Sequence, residues 1–367
     1  MLSRRTFLRN TATLAAASQL SPHVFTSPTK KKLGYALVGL GRLSKNQIAP
    51  ALAECKHSEL VGIVTGSPEK AETWAKKYEI EKKNIYNYRN FDSIADNPDI
   101  DVVCIVLPNS MHEEFTIRGA RAGKHVLCEK PMSLTSDEAR EMIAECESAK
   151  VKLAIAYRCQ FEPHHQECIR IAQEKQFGQI RQIDASFGFR IGDYPYGDLR
   201  RWRLEQEYAG GGALMDVGIY AVQACRYLTG EEPTSVSARE IKTDPTKFAE
   251  VDETILWSMV FPSGTIANCS TTYNFNGMNS FTAYADKGKF GMSPAFGYGG
   301  NKGFVRDKPL EKPQINQFAA QMDNFSQVIQ RDEQSIVAGK EGLQDMLVVE
   351  AIYKAVKSGA AVEVAKL

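Results

Sequence analysis

A regular alternation of two patterns between Lys32 and Ala156 most constrains how this chain can fold. Short, almost continuous apolar runs such as GYALVGL (34–40) and DVVCIVLP (101–108) alternate with amphipathic segments such as PEKAETWAKKY (68–78). Runs of this kind are typical of strands that are buried on both faces, and the amphipathic segments are typical of helices that cover them. The alternation therefore predicts the α/β class, with a parallel sheet between layers of helices.

The pattern changes after Arg158. Three segments, ETILWSMVF, GTIANCSTTY and SFTAYAD, alternate apolar with polar residues, and the turn sequences PSG and DKG occur beside them. This alternation is typical of neighbouring antiparallel strands with one buried face. The sequence also predicts a helix over residues 162–175, a loop over 294–314 and two closing helices over 317–330 and 344–359.

The stretch VGLGRLS (38–44) follows the first predicted strand and opens the first predicted helix. Gly39 and Gly41 let the backbone approach a pyrophosphate, to which the helix N-terminus presents N–H donors. Ser44 replaces the third glycine of this fingerprint. Because strand and helix supply the context that the motif needs, the pattern favours a dinucleotide site over a plain tight turn. The predicted phosphate loop consists of Gly39, Leu40, Gly41, Arg42 and Leu43.

The end of the second strand indicates which dinucleotide is bound. NAD-binding chains place a carboxylate there for the ribose 2′-hydroxyl, whereas this chain has Thr65-Gly66-Ser67. Two nearby cations, Arg42 and Lys70, can pair with a 2′-phosphate. We therefore predict NADP(H), bound with the help of Thr65, Ser67 and Lys70. The alternative is that both cations only solvate the ends of their helices.

Two further strand ends carry residues suited to chemistry. The stretch PNSMH (108–112) follows one predicted strand, and CEKPM (128–132) ends the next. Ligands of open α/β sheets bind at the carboxyl ends of the strands, so Lys130 is expected at the edge of the cofactor crevice. Pro131 fixes the turn that follows.

These two stretches, with AYRCQFEP (156–163) and the segment from Trp202 to Pro233, resemble the Gfo/Idh/MocA family of nicotinamide-dependent oxidoreductases. The resemblance covers nearly the whole chain and is greatest to the glucose-fructose oxidoreductase branch, because Tyr220 stands where a histidine is common. It implies a Rossmann dinucleotide-binding domain and then an α+β domain with a large, mostly antiparallel sheet, which often pairs subunits as homodimers or homotetramers. The implied division is 1–30 for a signal and short arm, 31–157 for the Rossmann domain, and 158–367 for substrate binding and oligomerisation, with the last helices able to pack back on the first domain.

The resemblance also assigns residues to a site. Lys130 and Tyr220 match the catalytic pair. The residues that match substrate-cleft positions are Tyr157, Arg158, Arg203 and Asp216. Those that match cofactor-binding positions are Pro108, Asn109, His112, Glu129, Lys130 and Arg158.

The proposed pair can be checked against acid–base chemistry. Oxidation of a cyclic aldose at C1 needs a group that takes the hydroxyl proton. A tyrosine titrates near ~10, and an ammonium about 4 Å away offsets the roughly 4 kcal/mol that separates this value from neutrality. We therefore expect Lys130 to make Tyr220 a usable base, and Asp216 to bind a sugar hydroxyl. Without the resemblance, Tyr220 is equally well a half-buried core tyrosine, and Asp216 a first-turn helix carboxylate.

The N-terminus begins with SRRTFLR (3–9), followed by a mild run rich in Ala and Thr. Paired arginines followed by Phe7 and Leu8 are the layout of a twin-arginine export signal. The run from Thr11 to Leu20 is too short and too polar to span a membrane, which needs about 20 apolar residues. The sequence therefore predicts contact with the twin-arginine translocase, no stable membrane insertion and a periplasmic location. An unstructured basic tail is the alternative.

Charge and cysteine content limit the partners. The formal net charge of +1 gives no long-range attraction to nucleic acid, so small-molecule sugars are the expected partners.

Eight cysteines occur singly, without the spacing of zinc or redox sites, and they are predicted to be buried free thiols. His164 and His165 are interpreted as a pair on a helix surface, and no metal site is predicted.

A closed redox cycle follows from export, because no pool of free nicotinamide cofactor is expected outside the cytoplasmic membrane. We predict that NADP(H) is loaded before export and held tightly. An aldose becomes a lactone and a second sugar becomes an alditol, in a ping-pong mechanism. The alternatives are an exported NAD(P)-dependent glycosidase on the same fold and an ordinary NADP-dependent sugar dehydrogenase. A non-catalytic sugar sensor is disfavoured by Lys130 and Tyr220 together.

Overall fold

The computed structural model describes residues 32–195 and 197–367. Its first sheet has six strands: β1 (Leu33–Val38), β2 (Ser58–Val64), β3 (Ile85–Tyr86), β4 (Val102–Ile105), β5 (His125–Cys128) and β6 (Leu153–Ile155). They pair in parallel in the order β3-β2-β1-β4-β5-β6, which is the Rossmann arrangement. The central strands β1, β4 and β5 are almost fully buried, which explains their continuous apolar sequences.

Four helices connect these strands: α1 (Ala49–Glu54), α2 (Pro68–Tyr78), α3 (His112–Arg121) and α4 (Ser136–Ser148). A π-helical turn, Ser44–Ile48, leads into α1. The Oγ of Ser67 caps α2 by accepting the Lys70 N–H at 3.3 Å, and Thr135 caps α4 in the same way. The predicted Rossmann domain is thereby confirmed.

The second sheet has nine strands: β7 (Ile180–Gly188), β8 (Ser235–Ile241), β9 (Thr254–Val260), β10 (Ile266–Thr272), β11 (Asn279–Ala285), β12 (Gly288–Met292), β13 (Gly303–Val305), β14 (Lys308–Leu310) and β15 (Val362–Glu363). Their order is β14-β13-β12-β11-β7-β10-β9-β8-β15. The β7–β10 pair is parallel and the other pairs are antiparallel. The large, mostly antiparallel sheet that the resemblance implied is confirmed.

The remaining helices are α5 (Pro163–Gln173), α6 (Gln206–Ala209), α7 (Ile219–Thr229), α8 (Gln317–Arg331) and α9 (Gly339–Ser358). A π-helical turn, Leu214–Gly218, precedes α7. Single 3₁₀ turns occur at Lys82–Asn84, Phe91–Asp96, Asn109–Met111, Arg158–Phe161 and Arg201–Leu204. One expectation was wrong: the predicted loop 294–314 contains the β13–β14 hairpin, whose three-residue strands are too short to show a period in the sequence.

The C-terminal helices pack on the first sheet and its helices. The Tyr35 hydroxyl donates to the carbonyl of Met322 in α8 at 3.1 Å, and the carboxylate of Asp323 accepts the N–H groups of Lys56 and His57. In α9, the Glu350 carboxylate accepts the N–H of Ser136 at the start of α4. The last part of the chain thus covers the first domain.

Two further expectations concern the described residues. None of their helices is both long and apolar enough to cross a bilayer. All eight cysteines are buried free thiols, as predicted. The predicted export signal and arm (1–30) lie outside the described residues.

Candidate active site

A cavity of about 720 Å³ lies where the segments after β1, β2, β4, β5 and β6 face the second domain. Most of the residues predicted for the site line it: Gly39, Leu40, Gly41, Arg42, Leu43, Thr65, Lys70, Pro108, Asn109, Glu129, Lys130, Arg158, Arg203, Asp216 and Tyr220. Three predicted residues do not line it, namely Ser67, His112 and Tyr157. The fold therefore gathers segments from distant parts of the sequence around one space.

The phosphate loop has the geometry of a pyrophosphate cradle. Gly39 has φ +95°, and a Cβ there would lie 2.4 Å from the carbonyl oxygen of Val106, so only glycine fits. A Cβ on Gly41 would meet no atom within 4 Å, which leaves room for a ligand against the backbone. Ser44 donates its hydroxyl to the Gly39 carbonyl at 2.6 Å and closes the loop. These residues fit a dinucleotide at the start of the helix.

The end of β2 offers cations beside the cavity. Arg42 and Lys70 are exposed residues in its lining, and the buried Thr65 lines it as well. Ser67, predicted to bind cofactor, has its Oγ engaged as the cap of α2. The cavity thus has two exposed cations in the wall that the phosphate loop and the end of β2 contribute.

His112 and Asn109 form hydrogen bonds that connect separate segments of the chain beside the cavity. The ring nitrogens of His112 lie 2.8 Å from the Pro131 carbonyl oxygen and 3.0 Å from that of Leu107. This buried ring joins the segments after β4 and β5, and burial lowers its pKa to about 4. Its direct contact with the cofactor stays a prediction. Asn109, which lines the cavity, also donates its side-chain amide to the carbonyl of Ala209 in the second domain at 2.8 Å.

At the other end of the cavity, Lys130 is paired with Asp216. Its Nζ donates to the backbone oxygen of Asp216 at 2.5 Å and to Oδ1 at 3.1 Å. Arg203 Nε lies 3.4 Å from Oδ2, and the Tyr273 hydroxyl donates to Oδ2 at 2.7 Å. Although burial raises the pKa of Asp216, these neighbours outweigh it and hold the pKa well below its usual range. Asp216 is thus an ionised anchor for Lys130 and is not free to serve a sugar hydroxyl alone.

Tyr220 lies between two cations. Lys130 Nζ is 4.9 Å and Arg158 Cζ 5.0 Å from the centroid of its ring. Its hydroxyl accepts a hydrogen bond from Arg158 Nη2 at 3.2 Å. Burial raises the pKa of Tyr220 well above its usual value, and the charge of Arg158 only partly opposes this. The ammonium of Lys130 thus bonds to Asp216, and the guanidinium of Arg158 contacts the phenol hydroxyl. Activation of the phenol by Lys130 stays a prediction.

Arg158 is fixed by carbonyl groups. Nη2 donates to the Phe296 oxygen at 2.6 Å, and Nη1 donates to the Gly297 oxygen at 2.9 Å and to Gln317 Oε1 at 2.7 Å. This buried side chain, predicted to bind substrate and cofactor, therefore holds the Tyr220 hydroxyl and lines the cavity.

Tyr157 precedes Arg158 but is buried in the core. Burial raises its pKa, and the nearby carboxylate of Asp345 raises it further. Tyr157 lies between β6 and the 3₁₀ turn Arg158–Phe161, with φ −87° and ψ 67°, and of these two neighbours only Arg158 lines the cavity. The structure thus places Tyr157 in the core, and its assignment to the substrate cleft stays a prediction.

Sequence reasoning missed several residues of the site. Tyr273 directly follows β10 and donates its hydroxyl to Asp216, but a tyrosine at this position carries no distinctive signal in the sequence. Tyr298 lines the cavity and stacks on Arg158, with its ring centroid 4.7 Å from Cζ. Its place in the glycine-rich stretch FGYGGN was the one usable signal. Trp202 and Leu199 also line the cavity, from the loop before Arg203.

The two adjacent histidines are buried, contrary to the expected surface pair. His164 and His165 lie in the first turn of α5 with their Nδ1 atoms 2.7 Å and 3.0 Å from the carboxylate of Glu162. The second sheet covers this helix, and single-sequence periodicity does not show such coverage. Within residues 32–195 and 197–367, no group of three or more ligating side chains is placed to hold a metal ion.

Comparison with known proteins gives two matches to family models. Residues 33–157 match the oxidoreductase family with an NAD-binding Rossmann fold, and residues 165–291 match the GFO/IDH/MocA C-terminal domain. Both matches fall within the two domains described above.

Individual relatives extend over most of the chain. A crystal structure of aldose-aldose oxidoreductase from Caulobacter crescentus, complexed with glycerol, is 43% identical, with a TM-score of 0.86 over 91% of this chain and 100% of that one. The D-xylose 1-dehydrogenase [NADP(+)] of Haloarcula marismortui is 27% identical over 89% of this chain and 92% of its own. A levoglucosan dehydrogenase complex with NADH and levoglucosan, 22% identical over 92% of this chain and 100% of that one, shares the fold with a TM-score of 0.78.

Proposed function

The chain belongs to the GFO/IDH/MocA family of oxidoreductases, and from this premise we propose that it exchanges reducing equivalents between two sugars through a tightly held NADP(H). An aldose is oxidised at C1 to its lactone, and a second sugar, ketose or aldose, is reduced to its alditol. Both half-reactions use the same cavity in turn, so the mechanism is ping-pong. The relative named aldose-aldose oxidoreductase, 43% identical, supports this type of reaction.

One observation carries the proposal: the phosphate loop and Tyr220 line the same cavity. Gly39 and Gly41 would hold the pyrophosphate of a dinucleotide, and Lys130 and Tyr220 line the same cavity. When bound, the nicotinamide supplies a hydride acceptor for one sugar and a hydride donor for the next. The protein then needs only to orient the sugar and move a proton.

The residues divide these two tasks. Tyr220, whose hydroxyl is held by Arg158, exchanges a proton with the hydroxyl of the sugar. Lys130, fixed by Asp216, places a positive charge beside the same ring, where it stabilises negative charge on the sugar oxygen. NADP rather than NAD is supported by Arg42 and Lys70 in the lining and by the named cofactor of the xylose dehydrogenase relative.

The decisive experiment uses the full chain as isolated. After gel filtration, the protein should carry nicotinamide absorbance. In stopped flow, an aldose should reduce this bound cofactor, and a second sugar should reoxidise it without added coenzyme. Protein that emerges without nicotinamide, or that turns over only with a continuous supply of NADP, contradicts the closed cycle. Release of nitrophenol from aryl hexosaminides would instead support the glycosidase alternative.

A second candidate function is an ordinary NADP-dependent sugar dehydrogenase. Two relatives, from Haloarcula marismortui and Haloferax volcanii, are named D-xylose 1-dehydrogenases that use NADP and are 27% and 25% identical. The same stopped-flow experiment separates the candidates, because a dehydrogenase releases NADPH into solution after each turnover.

We also propose export by the twin-arginine route to the periplasm. The support is Arg4-Arg5 followed by Phe7-Leu8, since that route carries folded proteins and hence a preloaded cofactor. Replacement of Arg4 and Arg5 by lysine should retain the protein in the cytoplasm with its cofactor bound, as shown by fractionation. Unchanged export of this variant would contradict the route.

The partner proposed for the second sheet is a second copy of the chain. Exposed apolar residues lie on one face of neighbouring strands: Leu256, Val260, Ile266 and Tyr284. Such a patch marks an interaction surface. Light scattering should give at least a dimer for the wild type and a monomer for the double change L256E and I266E, whereas the exposed I336E control stays assembled. A monomeric wild type would contradict the pairing.

A further inference from the structure

A second, small cavity lies behind Tyr220. Its volume is about 10 Å³, and its wall includes His165 and Tyr220. Tyr220 belongs to the walls of both this cavity and the large one. A space of roughly 10–15 Å³ is the minimum for one water molecule. The small cavity therefore has room for a single water, and Tyr220 forms part of the wall that separates it from the large cavity.

The hydrogen bonds of Glu162 fix the state of His165. The carboxylate lies 3.0 Å from His165 Nδ1, accepts the His165 backbone N–H at 2.9 Å, and lies 2.7 Å from His164 Nδ1. Burial raises the pKa of Glu162, but the bonds from the two histidines outweigh it and the pKa is lowered. An ionised carboxylate only accepts, so Nδ1 of His165 carries the hydrogen and Nε2 of the neutral ring is an acceptor.

Nε2 of His165 lacks a donor. The residue is 4% exposed, and this atom has no hydrogen-bond partner among the residues that the structure describes. Buried polar atoms are almost always satisfied, by protein or by ordered water. His165 also forms part of the small cavity's wall, so the cavity is the nearest described space for a water that could donate to Nε2.

The charged and titratable surroundings of His165 favour the neutral ring. Burial lowers its pKa, Glu162 raises it, and Arg158 and His164 lower it. The other titratable side chains in the wall of the cavity are Cys159, Tyr220 and Tyr227. At neutral pH, His165 is thus a neutral acceptor backed by an ionised carboxylate, which is the arrangement that can take up one proton and stabilise it.

We propose that one water molecule in this cavity links the phenol of Tyr220 to Nε2 of His165, so that the Glu162–His165 pair stores the proton released by the sugar. This inference rests on the proposed function. His165 acts through the water and Tyr220 and does not touch the sugar, so it is a positioning residue for proton transfer.

The proton balance closes within the protein. As the C1 hydrogen leaves with its electron pair, the sugar O–H bond breaks and its proton passes to the Tyr220 oxygen. The phenol gives its own proton to the water, and the water gives one of its protons to His165 Nε2. Tyr220 and the water end unchanged, and the new imidazolium is paired with the Glu162 carboxylate. The reverse transfers return the proton to the second sugar.

This relay is compatible with a Tyr220 pKa that burial raises. A phenol that receives one proton while passing on another never has to exist as a free phenolate. A closed ping-pong cycle also gains a place to keep the proton between its half-reactions, without exchange with solvent.

The test compares two matched variants, His165→Phe and His164→Phe. Both remove a buried imidazole bonded to Glu162, but His164 is not part of the cavity wall. We expect His165→Phe to slow single-turnover reduction of the bound cofactor roughly 10- to 100-fold and to make the rate rise with pH, because solvent must then take the proton. His164→Phe should keep the pH profile of the wild type. Equal pH profiles for the two variants would overturn the relay.

A spectroscopic measurement on folded protein tests the water link without sugar turnover. Nitrogen NMR of the full chain should show His165 with a protonated Nδ1 and an unprotonated, hydrogen-bonded Nε2, and Tyr220→Phe should shift the Nε2 resonance but not that of His164. A protonated Nε2, or no shift, would overturn the inference. A sample that shows the link yet exchanges no reducing equivalents with any sugar would refute the proposed function and support the water site.

Discussion

The two ends of the large cavity are built in different ways. The nucleotide end consists of short segments that directly follow the strands of the first sheet, and its main features are the backbone of Gly39 and Gly41 and the exposed cations Arg42 and Lys70. The sugar end consists of side chains from remote segments that hold one another, such as Lys130 on Asp216 and Arg158 on Tyr220.

This difference separates binding from chemistry. Changes at the nucleotide end should alter the affinity for the cofactor and leave the chemical step alone. Changes at the sugar end should alter the rate of reduction while the cofactor stays bound. A variant that moved both quantities together would show that the two ends are coupled.

The largest effect is expected for Tyr220→Phe. Loss of the proton-transferring hydroxyl should slow single-turnover reduction of the bound cofactor by roughly two to four orders of magnitude. The nicotinamide content after gel filtration should equal that of the wild type, because the ring remains. An unchanged rate in stopped flow would remove Tyr220 from the mechanism.

The same substitution at two neighbouring glycines sharpens the comparison. Gly39→Ala places a Cβ 2.4 Å from the Val106 oxygen at φ +95°, and it should lower the free energy of unfolding by about 2–5 kcal/mol. Gly41→Ala meets no protein atom within 4 Å. It should leave the free energy of unfolding within about 0.5 kcal/mol and obstruct only the cofactor. Urea unfolding of cofactor-free protein and cofactor titration measure the two effects, and equal destabilisation of both variants would contradict this geometry.

The double change Arg42→Ala and Lys70→Ala tests the choice of dinucleotide. Removing two cations from a 2′-phosphate should weaken NADP binding roughly 10- to 100-fold, while the dissociation constant for NAD stays nearly constant. Titration of cofactor-free protein with both dinucleotides measures this ratio. The control is Lys76→Ala on the same helix, α2, which should leave both constants unchanged. An equal loss of affinity for NADP and NAD would mean that neither cation binds the 2′-phosphate.

The smallest effect is expected from pH at Glu129. Burial raises the pKa of this carboxyl to about 7, although Lys130 partly opposes the shift. Below that pH the group is neutral, and above it the group adds a negative charge to a cavity that binds a polyanion. Cofactor affinity should therefore fall roughly two- to tenfold from about pH 6 to 8, and Glu129→Gln should remove the step in a fluorescence titration. The same step in both proteins would assign it to another group.

Local chemistry explains what the sequence could predict. The glycine loop, the strand–helix alternation and the lysine after β5 depend on neighbouring residues, and all of them occupy the expected places. The position of Tyr220 came from the family resemblance, and the structure places it in the cavity wall.

What the sequence could not predict depends on contacts between distant residues. The partner of Lys130 is 86 residues away. No neighbouring residue in the sequence therefore indicates whether the ammonium meets Asp216 or the phenol of Tyr220. Burial of His164 and His165 depends on the sheet that covers α5, and the side to which Tyr157 points depends on how β6 leaves the first sheet. Each of these placements thus depends on which distant segment a side chain meets.

The covering of the first domain by α8 sets an order for biosynthesis. The hydroxyl of Tyr35 finds its partner in Met322, 287 positions further along, so the nascent Rossmann half has an unfinished apolar flank throughout most of translation. That flank is closed only when α8 emerges from the ribosome. A polypeptide without α8 would therefore expose this flank to proteases and chaperones.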